Sequence, residues 1–384
     1  MKKVCFITTV SVTLRTFILA QAEYFKREHP DWEIYFICDT DEQFAESLPE
    51  YINYIPIKMG RGVSISGIGA VIELTKIFKR EKFDLVQYAT PNAAFYASIA
   101  AKLAKIKNTL YCQWGIRYVG FSGVSRKLFK CIEKITCNLS RYINAVSPAN
   151  KQFAVEEKLY VPDKAVVVGR GGTIGVDLSN YDITLKEKKR AKIRGELNLG
   201  EEFVIGFVGR LSKDKGTAVL LSAVRKLEES QKIKLLCIGP DEIGNEIDVE
   251  LINWAKNSDS VIFTGPQKAS EIIGYYAAMD VYVHPSYREG FGMVLQEAGA
   301  MALPIITTDI PGASEVFENG VSCITVEPKS DMALLGAIEQ LISDTQKLKF
   351  LGDNAREQTE KYYDREIMLK QQLLRYEQII DAER

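Results

Sequence analysis

Phe203-Val204-Ile205-Gly206-Phe207-Val208-Gly209-Arg210-Leu211-Ser212-Lys213-Asp214-Lys215-Gly216 is the stretch on which the reading of this chain turns. Its first six residues are apolar or glycine, as in a short strand buried on both faces of a parallel sheet. Glycine then breaks the run, charged residues follow, and a helical pattern opens at Thr217. This strand–turn–helix unit is a second beginning. Short apolar runs already occur at Val4–Thr8, Ile34–Cys38, Ile52–Ile57, Leu85–Tyr88, Leu110–Cys112, Ile143–Val146 and Val166–Val168, with helical stretches such as Gly67–Arg80 and Asn92–Lys105 between them. After Phe203–Val208 the alternation resumes at Lys234–Ile238, Val261–Thr264, Val281–Val283 and Ile305–Thr307. Alternating strands and helices imply a parallel sheet with right-handed crossovers. Two successive runs predict an α/β protein of two doubly wound, Rossmann-like domains.

The expected boundary follows Val168, at Gly169-Arg170-Gly171-Gly172-Thr173-Ile174-Gly175, a glycine-rich break after a strand. The expected domains are therefore 1–168 and 169–361. A C-terminal amphipathic helix over 362–384 carries Ile367, Leu369, Leu373, Leu374 and Ile380 among charges and is expected to pack back on the first domain.

The formal net charge of −1 hides an asymmetry: residues 1–168 hold 23 Lys and Arg against 16 Asp and Glu, the remainder 26 against 34. Within 99–151 ten basic residues face one acid, Glu133. Such density normally meets something anionic. No apolar stretch is long enough to span a bilayer. The seven cysteines are scattered without a Cys-x-x-Cys pair, and two histidines supply no zinc spacing. A reduced, cytoplasmic protein without metal or cofactor, and without a nucleic-acid partner, is expected.

In a parallel α/β domain ligands bind beyond the carboxyl ends of strands, where helix N-termini offer N–H groups. Arg210 and Lys215 in the turn after Phe203–Val208 suit a diphosphate, although an ordinary charged turn would look similar. The second candidate is His284-Pro285-Ser286-Tyr287-Arg288-Glu289-Gly290-Phe291-Gly292, which leads into the helical pattern Met293–Ala302. Glu289 precedes that helix and Glu297 lies inside it. Carboxylates accept from sugar hydroxyls, but one near a helix start also serves as a cap. His284 reads as a structural strand-end residue.

Taken together, Gly-Arg-Leu-Ser-Lys-Asp-Lys-Gly at 209–216, Glu-Gly-Phe-Gly at 289–292 and the second glutamate at 297 resemble the retaining glycosyltransferases of family 4, which have the GT-B fold. Leu303–Thr308, Gly312-Ala313-Ser314-Glu315 and Gly175-Val176-Asp177 are similar to that family as well. The likeness covers the C-terminal half well and the N-terminal half more loosely. It implies two Rossmann-like domains facing a cleft, with the nucleotide-sugar donor, UDP-linked, on the second. Gly209, Arg210 and Lys215 would meet its diphosphate and Glu289 its sugar. The backbone of Phe291 and Gly292 would meet the phosphates, Glu297 the ribose, and Thr264 would flank the base. The leaving diphosphate would deprotonate the acceptor, so no protein nucleophile is required.

In the first half, Arg15 stands near the start of the first helix, where a cation opposes the dipole and an anionic partner would explain it. Cys112-Gln113-Trp114-Gly115-Ile116-Arg117-Tyr118 looks like the acceptor-side loop of capsule-type and lipid-linked-oligosaccharide transferases, with Trp114 where many relatives have His or Arg. The implied acceptor is a polyprenyl-diphosphate-linked saccharide, with Arg15 and Arg117 as its phosphate-binding candidates. Over Gly123–Arg141, Lys127, Lys130, Lys134 and Arg141 share one helix face beside Leu128, Ile132, Ile135 and Leu139, which predicts peripheral attachment to an anionic membrane surface. Asp39-Thr40-Asp41 is an Asp-x-Asp of the kind that holds metal in GT-A transferases. Here the expectation is no metal, because the partner domain carries the donor motifs. A sugar-nucleotide isomerase of the non-hydrolysing 2-epimerase type shares the fold and is the alternative. A catalytically dead binding module is disfavoured by the intact Arg210, Lys215, Glu289 and Glu297 set.

Overall fold

In the computed structural model, which describes residues 1–60, 66–244 and 247–382, the chain divides into two compact units. The first comprises Met1–Ile174 with the chain from Met368 onward, and the second Gly175–Ile367.

The first unit is built on a seven-stranded parallel sheet: β1 Lys3–Ile7, β2 Glu33–Cys38, β3 Ile52–Pro56, β4 Leu85–Tyr88, β5 Thr109–Gln113, β6 Tyr142–Ala145 and β7 Ala165–Val166. The spatial order is β3-β2-β1-β4-β5-β6-β7. The second has six strands: β8 Phe203–Val208, β9 Ile233–Ile238, β10 Val261–Gly265, β11 Val281–His284, β12 Ile305–Thr308 and β13 Ile324–Val326, in the order β10-β9-β8-β11-β12-β13. Both are doubly wound sheets in which the strand order reverses beside the first strand. That reversal leaves a crevice at the carboxyl ends, β1/β4 in one unit and β8/β11 in the other.

The apolar runs predicted as strands are strands; those in the middle of each sheet are buried along their length because both faces are covered, whereas the edge strands β3 and β10 are only partly buried. Val4 to Ile7 are all 0% exposed, and Ile205, Leu235, Leu236, Val281 and Val283 likewise. Among the described residues, only β13 had no counterpart among the predicted runs. It is three residues long and pairs along one edge, with β12.

The chain leaves the first unit six residues later than expected. Gly172 N–H donates to Val146 O at 2.8 Å, and a Cβ on Gly169 would lie 2.1 Å from Gln371 Oε1. The glycine loop is therefore bound to β6 and to the C-terminal helix. That helix runs over Arg365–Asp381, starting three residues after the expected 362. Asp364 is taken up elsewhere: it bridges to Val176, and Val176 N–H donates to Tyr363 O at 2.8 Å. Tyr376, fully buried, stacks at 6.2 Å on Phe6 of β1 and meets Phe25 edge-on at 4.9 Å. Leu369, Leu373 and Ile380 are buried with it, whereas Ile367 and Leu374 face outward.

Candidate active site

The turn after β8 and the turn after β11 flank the crevice of the second unit, and glycine lets them touch. Gly216 has φ +73°, and a Cβ there would fall 2.0 Å from the Pro285 carbonyl oxygen. Tyr287 N–H and Ser286 Oγ both donate to Asp214 O, at 2.8 and 3.2 Å. Gly312 (φ +81°) closes over the second turn, since a Cβ would meet Gly290 O at 2.4 Å.

Lys215 and Glu289 form an ion pair in this crevice, and His284 Nε2 lies 2.9 Å from the same Glu289 oxygen. Burial pushes the Glu289 carboxyl up, but the His284 hydrogen bond and charge, with the Lys215 ammonium, outweigh it and hold the pKa at about 2. Arg210 is half-exposed, bonded to Glu242 at 2.7 Å and Asp214 at 3.2 Å. Arg288 reaches Asp214 at 3.7 Å. Three cations thus stand at the carboxyl ends of β8 and β11, each on an acidic side chain that an incoming anion could displace.

Glu297 sits in a different electrostatic state. Burial raises its pKa to about 7, against the Tyr276 hydroxyl, which donates to it at 2.8 Å, and the charge of Arg365. The two glutamates are joined by a row of rings: Tyr276 lies 5.7 Å from Tyr282, which lies 6.3 Å from His284. Glu297 also lines a cavity of about 540 Å³ with Tyr181, Lys189, Met293 and Arg365. Thr264 occupies a bulge at the end of β10, where its hydroxyl donates to Gly265 O at 3.0 Å. Gly209 has φ +150°, and its carbonyl is approached so closely by Gly239 that a Cβ on Gly239 would lie 2.0 Å away.

One expected donor is already used. Gly292 N–H donates to Gly312 O at 3.1 Å, so Gly292 shapes the turn and does not offer its own N–H to a phosphate. The Phe291 ring is core, packed edge-on against Tyr363 at 5.8 Å, so only its backbone is available to a ligand.

In the first unit the sequence misplaced Arg15. The helix is only Ser11–Phe17, so Arg15 lies in its last turn, where a cation suits the dipole. It sits over Phe44 at 5.4 Å and donates to Ser47 at 3.3 Å. Arg117, exposed, lies over Phe129 at 4.8 Å. Trp114 packs on Phe17 at 5.2 Å, joining the two segments. Asp39 accepts from Met59 N–H, and Asp41 caps Glu42–Ser47 by accepting from Phe44 N–H while Ser11 donates to it. Both carboxylates of the Asp-x-Asp therefore have structural duties.

Thr90 was not singled out from sequence. It sits at the β1/β4 crevice with φ +64°, an outlier for a β-branched residue, and its hydroxyl lies 2.9 Å from that of Thr9. Strain of this kind costs on the order of 1–3 kcal/mol and collects at functional sites. The signal in the sequence is only Thr90-Pro91 at a strand end.

The basic helix spans Gly123–Leu139. Its expected apolar stripe divides. Ile132 is buried, whereas Leu128 and Ile135 face outward together with Val124 at 83% exposure. Lys130 is engaged by Glu157 at 2.6 Å. Lys127 and Lys134 are exposed.

Residues 189–358 match the family described as glycosyl transferases group 1, and residues 3–147 match glycosyl transferase 4-like. The capsular polysaccharide biosynthesis glycosyltransferase CapM of Staphylococcus aureus is 28% identical over 371 residues, 96% of this chain and 94% of that one. UDP-Gal:alpha-D-GlcNAc-diphosphoundecaprenol alpha-1,3-galactosyltransferase of Escherichia coli is 24% identical over 353 residues, 90% of this chain and 87% of that one. The crystal structure of Anabaena Alr3699/HepE in complex with UDP-glucose superposes with a TM-score of 0.78 at 21% identity, over 98% of this chain and 99% of that one, a likeness of fold. With a glycosyltransferase family matched in each half, group 1 over 189–358 and glycosyl transferase 4-like over 3–147, and two parallel-sheet units of the same winding, the chain is a glycosyltransferase of the GT-B fold.

Proposed function

We propose that this glycosyltransferase moves a sugar, with retention, from a UDP-sugar to a polyprenyl-diphosphate-linked saccharide in surface polysaccharide biosynthesis. The observation that carries the donor half is the ionised Glu289 held by Lys215 and His284 at the β8/β11 crevice, with Arg210 beside it. A donor diphosphate would draw Lys215 and Arg210 from their carboxylates. Glu289, still ionised, would then accept from sugar hydroxyls, and Glu297 from the ribose. As the bond from C1 to the diphosphate oxygen breaks, that oxygen takes the acceptor hydroxyl proton and the acceptor oxygen bonds to C1 on the same face. The developing negative charge falls on the diphosphate, where fixed cations stabilise it most.

CapM supports the capsule context by its name, and the E. coli relative supports both a UDP-linked donor and a diphosphoundecaprenol acceptor. The isomerase alternative is dropped, because both matched families are transferase families. Because fixed cations serve the diphosphate and Asp39 and Asp41 have structural duties, transfer should need no metal. Acceptor binding is assigned to the first unit, with Arg15, Arg117 and the strained Thr90 as contacts. Among the described residues no helix is long and apolar enough to cross a membrane. The outward stripe Val124, Leu128 and Ile135, flanked by Lys127 and Lys134, fits peripheral attachment to the cytoplasmic face of an anionic bilayer.

The test is a panel of UDP-, GDP- and dTDP-sugars against polyprenyl-diphosphate-linked saccharides, with the anomeric configuration of the product read by NMR. Transfer from a UDP-sugar with retained configuration, surviving EDTA, is expected. Inversion, or loss on chelation with rescue by manganese, would overturn the mechanism.

A further inference from the structure

Three helices of the first unit, Ser66–Glu81, Pro91–Ala104 and Gly123–Leu139, pack side by side. Each runs antiparallel to the strands it connects, so all three C-termini collect at the amino edge of the sheet, opposite the β1/β4 crevice. Two concavities of about 450 and 610 Å³ lie there and share Ile106 and Lys107, forming one groove. Its lining holds eight basic side chains against two acids, Asp84 and Asp163. Asp84 is already taken by Lys2 at 3.3 Å.

Helix C-termini favour cations, and each end carries roughly half a negative charge. Three ends account for about one and a half of these charges. The groove therefore carries a net positive charge, eight basic side chains against two acids and three helix ends, with Lys164 donating to Asn138 O at 3.1 Å and Arg141 to Asn108 Oδ1 at 3.4 Å. Two of the lysines also occupy positions where the backbone disfavours them. Lys82 and Lys105 follow their helices at φ +54° and +58°, the left-handed position that glycine fills without penalty. A residue with a Cβ costs roughly 1–2 kcal/mol there. The rim is apolar: Val161 lines the groove at 67% exposure, and Leu103, on the helix that supplies Lys102, is 57% exposed. Asn138 and Leu139 line it as well, and they end the helix that carries the outward stripe Val124, Leu128 and Ile135.

We propose that this groove is a binding site for the phosphate-bearing headgroup of an anionic membrane lipid. The inference rests on the reading that the outer face of Gly123–Leu139 meets the bilayer, and it assigns the second contact of that encounter. Basic side chains supply the phosphate contacts, and the apolar rim meets the acyl boundary.

Lys82→Gly with Lys105→Gly separates this from a purely structural role, because glycine keeps the cap while removing the charge. Co-sedimentation with phosphatidylglycerol and phosphatidylcholine vesicles is measured for wild type, for the double glycine variant and for Lys127→Glu/Lys134→Glu, alongside thermal melts. The expected result is that the glycine variant melts no lower than wild type yet binds phosphatidylglycerol vesicles about 30-fold more weakly, the factor for two charges at about 1 kcal/mol each. Inorganic phosphate and pyrophosphate are titrated separately. If pyrophosphate binds wild type at a second site that the glycine variant lacks, apart from the β8/β11 crevice, while phosphatidylglycerol vesicles do not bind, the lipid assignment is overturned. If the glycine variant binds vesicles as wild type does while the Lys127/Lys134 variant fails, the groove is overturned and the membrane reading stands. If wild type binds no anionic vesicle, both fall.

Discussion

Glu289 and Glu297 stand eight positions apart, and their pKa values are shifted in opposite directions. Glu289 has its pKa lowered from 4.5 to about 2. Such a group adds stability fully above its unfolded pKa of about 4.5, and that contribution is lost as pH falls through about 2. Glu289→Gln should therefore cost on the order of 3 kcal/mol near neutrality, with the gap to wild type closing between pH 4.5 and 2 in denaturant titrations. A constant gap would show that the pair does not carry the shift. Glu297 has the reverse sign. Raised to about 7, it adds stability below about 4.5 that disappears as pH rises through 7. Only its ionised form is acceptor-only, so UDP affinity should rise from pH 6 to 8 with release of a proton, and Glu297→Gln should flatten that dependence. Calorimetry in buffers of different ionisation heat reads both effects; an affinity independent of pH in wild type would remove Glu297 from the ribose. Both glutamates could be picked from sequence because motif spacing marks them. His284 could not be recognised as the partner of Glu289, because five residues of separation say nothing about a contact made by a turn folding back. Thr90 escaped notice because its strain lies in a dihedral angle and not in its residue type.

At the scale of elements, apolar runs in doubly covered sheets were easy to place, and their limits shifted by a residue or two where backbone pairing outlasts the hydrophobic pattern, as at Gly265. β13 was hidden because Ile324-Thr325-Val326 is too short to show a period. The stripe on Gly123–Leu139 was read only in part, because helical spacing does not say which apolar row the core takes: Leu128 and Ile135 face outward as expected, Ile132 went inward and Val124 stayed out. Cys131 is exposed on that helix while the other six cysteines are buried. An environment-sensitive fluorophore on Cys131 should shift to the blue with anionic vesicles at low salt, and Lys127→Glu/Lys134→Glu should abolish the shift. Equal spectra with and without vesicles would place the membrane contact elsewhere. Gly216 ties the turns after β8 and β11 together. Gly216→Ala should destabilise the protein by about 2 kcal/mol or more, from its positive φ and the clash with Pro285 O. A melting temperature equal to wild type would mean that the turns move apart freely.

For the molecule as a whole, the restart of the strand–helix alternation at Phe203 announced two units. The exact limits were not legible, because Gly169–Ile174 is held by hydrogen bonding and packing within the first unit, which composition does not reveal. Donor binding by Arg210 and Lys215 of the second unit is the claim on which the proposed function rests. The most direct measurement is calorimetric titration of the full chain with the UDP-sugar that it uses, for wild type and for Arg210→Ala/Lys215→Ala, with circular dichroism to confirm folding. The account predicts saturable binding to wild type and a loss of at least a hundredfold in affinity or turnover in the folded variant, the scale of about 3 kcal/mol from diphosphate charge stabilisation. Unchanged binding and turnover in that variant would contradict it.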